Sequence, residues 1–253
     1  MNKIGLLAAS ALVAVSLASS AKADVFHLNY EAPGVLNSTA VFSVGGVDTF
    51  DSLTPGTYSS ITTDFGTGGA ITGTYTGPNG VQIYGADQYG GAGGTGNYIV
   101  AFGSTPYTLT LTTTNPSGIN YFGYWLSALD SGNEVEFYRA GTLVGSLNPS
   151  QVIAQVGTSG PYYGNPSGAY EGQDSQQPYA FINFYDTTGT FDTVKFYENP
   201  AVGGYESDNH TVGYYTTMGG VPEASTWAMM ALGFGGLAFA GFRSSRRQPV
   251  SIA

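Results

Sequence analysis

The sequence predicts an all-β protein, an antiparallel β-sandwich of the jelly-roll kind, placed between an N-terminal signal helix and a C-terminal transmembrane helix. Glycine is abundant (38 residues) and charged residues make up only 9% of the chain, a composition typical of short strands and tight turns. About ten or eleven short apolar or alternating segments are separated by turn residues. The chain has no cysteine, so disulfides and thiolate metal sites are excluded.

Residues 1–23 predict a secretory signal peptide. Lys3 supplies a positive start, residues 4–17 are almost entirely apolar, and Ala21 and Ala23 form the small-x-small pattern that precedes cleavage. The mature chain is expected to begin at Asp24, outside the inner membrane. The alternative is an uncleaved anchor helix.

Residues 24–220 predict one β-sandwich domain. In 133–139, alternation places Val135 and Phe137 toward the core. Pro78-Asn79-Gly80 predicts a hairpin turn between two strands, the Gly/Thr-rich first third is expected to be looser, and 161–178 predicts a long polar loop. The predicted strands are 25–30, 69–77, 81–85, 97–103, 107–114, 119–129, 133–141, 142–147, 179–186, 191–199 and 210–216.

The charge of this domain limits its partners. Two basic and sixteen acidic residues lie between residues 24 and 220, so this part of the chain has a net charge of −14. Such a surface repels nucleic acid and anionic membranes, and we expect no nucleic-acid partner. Calcium ions or basic partners fit the charge, although solubility alone would also explain it.

A structural calcium site is the one cofactor that the sequence suggests. Glu206, Asp208 and Asn209 lie near the end of the domain and Glu31 lies near its beginning. First and last strands can be neighbours in jelly rolls, which would gather these oxygen ligands, the type that Ca²⁺ prefers. The alternative is that Asp208 and Asn209 end a strand and cap a turn.

Tyrosines around the long loop suggest a site for polysaccharide. Tyr162, Tyr163, Tyr170 and Tyr179 surround residues 161–178, and aromatic faces stack on sugar rings. Trp125 lies in an apolar strand and is predicted to belong to the core.

No motif predicts catalysis, and we expect a protein that is not an enzyme. Gly91 to Gly96 fits G-x-G-x-x-G, but a strand and not a helix follows, which excludes a dinucleotide site. His27 and His210 are the only histidines and no G-x-S-x-G occurs. A two-carboxylate glycoside hydrolase remains an alternative, with no pair of residues nominated.

The C-terminal segment predicts a single transmembrane helix with a stop-transfer signal. Residues 227–242 are apolar, about 24 Å as a helix, which is short for a bilayer core of about 30 Å. Arg243, Arg246 and Arg247 follow at once and are expected to stay in the cytoplasm.

Residues 221–247 resemble the PEP-CTERM sorting signal of Gram-negative bacteria. The resemblance is carried by Val221-Pro222-Glu223-Ala224, the apolar run and the arginine cluster, with Ala224 where the family commonly has a second proline. It implies recognition by exosortase, processing near Pro222, and transient anchoring in the inner membrane. Delivery to the cell surface or to the exopolysaccharide matrix of a biofilm would follow.

The domain itself is similar to a group of exosortase-dependent surface proteins. The similarity is carried by residues 124–146, by 179–186 with 191–198, and by 205–214. Together these features predict a secreted protein, cut by signal peptidase and exosortase, with a structural or adhesive role. Extracellular polysaccharide is its expected partner, and a carbohydrate-binding module and a glycoside hydrolase are the alternatives.

Overall fold

The computed structural model describes residues 24–220 and confirms an antiparallel β domain. The predicted signal helix, with Ala21 and Ala23, lies outside the described residues, as does the sorting signal from Val221 to Arg247. Within residues 24–220, no helix is long and apolar enough to cross a membrane. The strands are β1 Phe26–Tyr30, β2 Val41–Asp48, β3 Gly56–Thr63, β4 Ile71–Gly85, β5 Asn97–Phe102, β6 Tyr107–Thr113, β7 Tyr121–Ser127, β8 Asn133–Arg139, β9 Thr142–Leu147, β10 Ala180–Asp186, β11 Thr193–Glu198 and β12 Gly204–Thr217.

All twelve strands hydrogen bond into one sheet that curls around its core. The strand order is β1-β10-β7-β12-β5-β4-β6-β11-β8-β9, with β2 added on β12 and β3 added on β4. The two ends of this order meet, because Phe26 of β1 packs 5.1 Å from the ring of Phe137. Phe26 also covers Gly145 of β9, where an added Cβ would lie 2.6 Å from its ring. The sheet is therefore nearly closed.

The core is unusually aromatic. Val135 and Phe137 of β8 are fully buried, and Glu134, Glu136 and Tyr138, which alternate with them, are only half-buried, as the alternation predicted. Phe196 stacks on Tyr107 with ring centroids 4.9 Å apart. Trp125 is buried, as predicted. It packs with Ala128, Tyr179 and Phe181 in a smaller hydrophobic cluster on the outer face of the sheet.

The predicted hairpin at Pro78-Asn79-Gly80 is wrong. These residues lie inside β4, which runs unbroken from Ile71 to Gly85. The ladder with β3 shifts register here, which accommodates the extra residues as a bulge. Asn79 Nδ2 donates a hydrogen bond to the carbonyl of Ser104 at 2.7 Å, so the turn-forming residues fix a bulge instead of reversing the chain.

The first third of the domain, which was expected to be looser, forms strands β2 and β3. Neither strand was predicted from the sequence. Gly46 of β2 has to be glycine, because an added Cβ would collide with the Phe65 carbonyl oxygen. Helix α1, Pro149–Val156, was also missed. Its start carries a capping box in which the side chains of Asn148 and Gln151 bond each other's backbone amides.

Strand β12 does not end at Asp208 and Asn209, contrary to one of the two alternatives. It extends from Gly204 to Thr217. Asn209 has a positive φ of 49°, and the register against β7 shifts between Asp208 and Thr211. This bulge allows Ser207 and His210 both to point into the core, although they are three residues apart.

Candidate functional site

The four residues predicted to bind calcium do not form one site. Glu31 directly follows β1, and its amide bonds the carbonyl of Phe181 on β10. Phe181 lies opposite Trp125 of β7, which lies opposite Asp208 of β12. Glu31 is therefore three strand spacings, about 14 Å, from Asp208. Among the described residues, no group of three or more histidine and carboxylate side chains could hold a metal ion. Calcium binding stays a prediction without a site.

The side chains of Glu31, Asp208 and Asn209 hydrogen bond to different loop segments. The Glu31 carboxylate accepts hydrogen bonds from Thr39 N and Oγ1, both at 2.8 Å, and from Asn183 Nδ2 at 3.0 Å. Asp208 Oδ2 accepts one from Ala92 N at 2.7 Å. Asn209 Nδ2 donates to the Leu36 carbonyl at 2.9 Å. These contacts tie surface loops to the sheet.

The four loop tyrosines do not form a stacking platform. Tyr162 and Tyr179 are buried, and Tyr163 and Tyr170 are half-buried. Each hydroxyl donates to a backbone carbonyl, those of Glu31, Gly157, Ala86 and Gln88 for Tyr162, Tyr163, Tyr170 and Tyr179 respectively. These side chains anchor the loop through their hydroxyls, and glycan binding by them stays a prediction.

Two of these tyrosines nevertheless position a neighbouring segment. Tyr170 and Tyr179 hold the carbonyls of Ala86 and Gln88 at 3.0 and 2.7 Å. Asp87 lies between these carbonyls, and its Oδ1 accepts hydrogen bonds from the Tyr98 hydroxyl and from two following backbone amides. The segment 86–90 is thereby fixed against the outer face of the sheet.

This segment forms one wall of a cleft of about 460 Å³. The cleft lies on the outer face of β4, β5 and β12, where cross-strand pairs place Tyr84 beside Tyr98 and Glu206 beside Val100. Loops contribute the remaining walls. The lining residues are Tyr84, Asp87, Tyr89, Tyr98, Phe102, Ala128, Asp130, Gln177, Gly203, Gly204 and Glu206.

Exposed aromatic rings are confined to this cleft. Tyr84 is 42% exposed and Tyr89 is 45% exposed, and they are the only aromatic side chains in residues 24–220 that are this accessible. The ring of Tyr84 packs in an edge-to-face contact with the ring of Phe102, with centroids 6.0 Å apart. The domain buries its other aromatic rings partly or fully, so the exposure of this pair is a specific property of the cleft.

Two consecutive glycines make room for two carboxylates in the cleft. A Cβ at Gly203 would collide with Oδ2 of Asp130, and a Cβ at Gly204 would collide with Oε1 of Glu206. Neither glycine has a positive φ, so backbone conformation does not require them. The space that they leave is occupied by carboxylate oxygens.

Burial dominates the electrostatics of the cleft. Burial, followed by the nearby charges of Asp130, Glu198 and Asp87, raises the pKa of Glu206 to about 8, against a smaller lowering by its own backbone amide. Burial also raises the pKa of Asp130, while a hydrogen bond from Gln177 Nε2 at 2.8 Å lowers it. At neutral pH Glu206 therefore mostly holds a proton.

A serine–histidine pair in the core has no access to a substrate. His210 is fully buried. Its Nδ1 lies 3.1 Å from the Tyr75 hydroxyl and its Nε2 lies 3.0 Å from Ser207 Oγ. Ser207 Oγ in turn lies 2.9 Å from the Tyr107 hydroxyl. Burial lowers the pKa of His210 to about 3, so a neutral imidazole completes a structural network.

Of the predicted site residues that lie within 24–220, only Glu206 lines the cleft. The others in the cleft come from segments far apart in the chain, and no local motif joins them. One signal was available: in 97–102, Tyr98 and Phe102 fall on one face and Ile99 and Ala101 on the other. No protein-family model matches the chain, and comparisons with curated proteins and with solved structures return no match.

Proposed function

We propose that this chain is an exported surface or matrix protein whose β domain binds a glycan in the outer cleft. The observation that carries the proposal is the pair of exposed tyrosines, Tyr84 and Tyr89, beside the carboxylates of Asp130 and Glu206. Aromatic faces pack on the C–H faces of sugar rings, and carboxylates accept hydrogen bonds from sugar hydroxyls. Glycan binding would give the protein its structural or adhesive role.

The jelly-roll-like sandwich is part of the same proposal. Jelly rolls occur in lectin domains, and a cleft on the outer face of a curled sheet fits such a domain. Export is supported by the signal-peptide pattern at 1–23 and by the sorting pattern at 221–247. Signal peptidase, exosortase and, before processing, the inner membrane would be its partners on the way to the surface.

Glycan binding is tested with the purified full-length protein. A glycan array identifies binders, and calorimetry then compares the wild type with Tyr84→Ala and Tyr89→Ala. Each substitution is expected to weaken binding about tenfold, because it removes a stacking surface. Leu143→Ala, which truncates an apolar side chain that is 51% exposed on β9, is the matched control and should bind like the wild type. Unchanged affinity in both tyrosine variants would refute the cleft as the site.

Export is tested by intact mass and cell fractionation in strains with and without exosortase. We expect loss of residues 1–23 in both strains, and loss of the tail from near Pro222 only when exosortase is present. A tail retained in both strains, with the protein held in the inner membrane, would contradict the sorting proposal.

A glycoside hydrolase is the second candidate. Glu206 has a pKa of about 8 and lines the cleft together with Asp130, and a carboxyl group protonated at neutral pH is what a general acid requires. Turnover of a bound glycan, lost about a hundredfold or more in Glu206→Gln, would favour this function. Binding without turnover would favour the adhesive role.

A further inference from the structure

The walls of the cleft carry three acidic side chains, and no basic side chain of residues 24–220 lies beside them. Asp87, Asp130 and Glu206 line the cleft. The two basic residues between 24 and 220 are engaged elsewhere, Arg139 with Asp24 at 2.6 Å and Lys195 with Glu136 at 3.4 Å. The low-dielectric walls of a cleft focus such a potential on whatever enters it.

The Glu206 carboxylate is the least satisfied of these groups. Its side chain belongs to a residue only 7% exposed, and it opens into the cleft. Apart from its own backbone amide, no group of residues 24–220 donates a hydrogen bond to it. The carboxyl oxygens can therefore accept further hydrogen bonds from a ligand in the cleft. Gly204 leaves the space that Oε1 of Glu206 occupies.

An ammonium group would supply the positive charge and the hydrogen-bond donors that the cleft lacks. It brings three N–H donors and a positive charge, which form short, charge-assisted hydrogen bonds with carboxylates. The exposed rings of Tyr84 and Tyr89 add favourable cation–π contacts. An acidic sugar would be repelled by the same carboxylates, and a neutral acetamido group offers a single donor and no charge.

We propose that the cleft selects a glycan with free amino groups, a polymer of unacetylated amino sugars, over its neutral N-acetylated or acidic counterparts. This selectivity rests on the proposed glycan function and adds the class of sugar. Glu206 and Asp130 contact the ammonium group, and the tyrosines contact the ring faces.

Protonation of Glu206 is coupled to this binding. The charged or titratable groups that face it are Asp87, Asp130, Glu198, Tyr98 and Tyr179, all acidic. With these neighbours and burial, Glu206 keeps its proton in the empty cleft. An incoming amine takes up that proton, or an incoming ammonium group displaces it to the solvent, and either leaves a carboxylate paired with an ammonium group.

The test uses the full-length protein and three probes of equal length at pH 6: hexamers of glucosamine, of N-acetylglucosamine and of lysine. Calorimetry should show that the glucosamine hexamer binds about tenfold or more tightly than the acetylated hexamer. Glu206→Gln and Asp130→Asn should each reduce that preference severalfold, because each loses more affinity for the glucosamine hexamer than for the acetylated hexamer. Glu171→Gln, an exposed loop position, is the control for net charge.

The outcomes separate the two proposals. Equal affinity for the two sugar hexamers, or a preference unaffected in both cleft variants, would overturn the amino-sugar inference and leave glycan binding intact. Binding of the lysine hexamer as tightly as the glucosamine hexamer, with the same sensitivity to Glu206→Gln, would reduce the cleft to a general cation site and also overturn it. Failure of every glycan to bind would overturn both proposals. Circular dichroism confirms that each variant is folded.

Discussion

The two faces of strand β12 show how one short segment serves two purposes. Ser207 and His210 point inward and are paired with tyrosine hydroxyls in the core. Glu206 points outward into the cleft and is buried without a partner from the rest of the described chain. Neighbouring residues therefore differ in whether their polar groups are satisfied within the fold.

This difference separates stability from binding. A satisfied buried network stabilises one folded arrangement, so changes on the inner face should lower the free energy of unfolding. The Glu206 carboxyl group is not part of such a network and is available to a ligand. Changes on the outer face should therefore affect binding more than folding.

The largest effect on stability is expected from His210→Ala. It leaves a cavity among Phe50, Phe122 and Phe196 and breaks the hydrogen bonds to Tyr75 and Ser207. We expect a loss of about 3–5 kcal/mol in the free energy of unfolding, measured by denaturant titration. Affinity for glycan, measured where the variant is still folded, should be unchanged. A loss below about 1 kcal/mol would show that the inner network is not structural.

Gly204→Ala should affect both properties, because the new Cβ collides with the Glu206 carboxylate. We expect a loss of about 1–3 kcal/mol in stability and about tenfold weaker binding of the cleft ligand. Gly85→Ala is the matched control, since its Cβ would meet only ordinary contacts at 3.7 and 3.8 Å. If both alanine variants behave alike, the carboxylate is not held as the structure shows.

Glu206→Gln should change how stability depends on pH. The pKa of Glu206 is raised from its ordinary 4.5 to about 8 in the folded state. Between these values the folded protein keeps a proton that the unfolded chain releases. Stability conferred by this group is thus complete below pH 4.5 and is lost as pH rises toward 8, by at most about 1.4 kcal/mol per pH unit. Denaturant titrations from pH 5 to 8 should show a smaller decline in Glu206→Gln than in the wild type.

The inner face should show the opposite dependence. The pKa of His210 is lowered from 6.5 to about 3 in the folded state. Between these pH values the unfolded chain binds a proton at His210 that the folded protein does not bind. Stability is then lost as pH falls from 6.5 toward 3. Glu171→Gln should retain both the acid and the alkaline decline. A decline toward pH 8 as steep in Glu206→Gln as in the wild type would contradict the assignment to Glu206.

The smallest effect is expected from Tyr170→Phe. It removes the hydrogen bond to the Ala86 carbonyl at 3.0 Å and loosens the segment that carries Asp87 and Tyr89. We expect about 1 kcal/mol less stability and about twofold to threefold weaker glycan binding, measured by calorimetry. Tyr163→Phe loses a bond to Gly157 instead and should leave affinity unchanged. Equal effects of the two variants would show that Tyr170 has no special role in positioning the cleft.

The sequence predicted most strands because their signal is local. Alternation placed Val135 and Phe137 inward, and the apolar run around Trp125 was correctly expected to be buried. Strand β2 was not predicted because two glycines, Gly45 and Gly46, interrupt its alternating pattern. They are needed because Phe42 of the same strand packs over Gly45 and the Phe65 carbonyl lies close to Gly46. The hairpin predicted at Pro78-Asn79-Gly80 was wrong because the same residue types occur in β-bulges and in turns.

The site was harder to predict because its residues meet only in the folded sheet. Tyrosines in the long loop had the right chemistry for sugar binding, but their hydroxyls are consumed by backbone carbonyls. Which tyrosines remain exposed depends on what covers each ring, and that information is absent from local sequence. Glu206 was singled out as a possible calcium ligand and does line the cleft, although Glu31 lies three strands away; its role as a ligand-binding residue stays a prediction.

By itself, the sequence determined the class of fold, the acidic character of the domain and the inward faces of several strands, because alternation and composition act over a few residues. The tertiary structure alone decided that Tyr84, Tyr89, Asp130 and Glu206 share one cleft. It also decided that Glu31 lies three strands away from Asp208. Strand order and loop packing set those distances, and both depend on contacts between residues far apart in the chain.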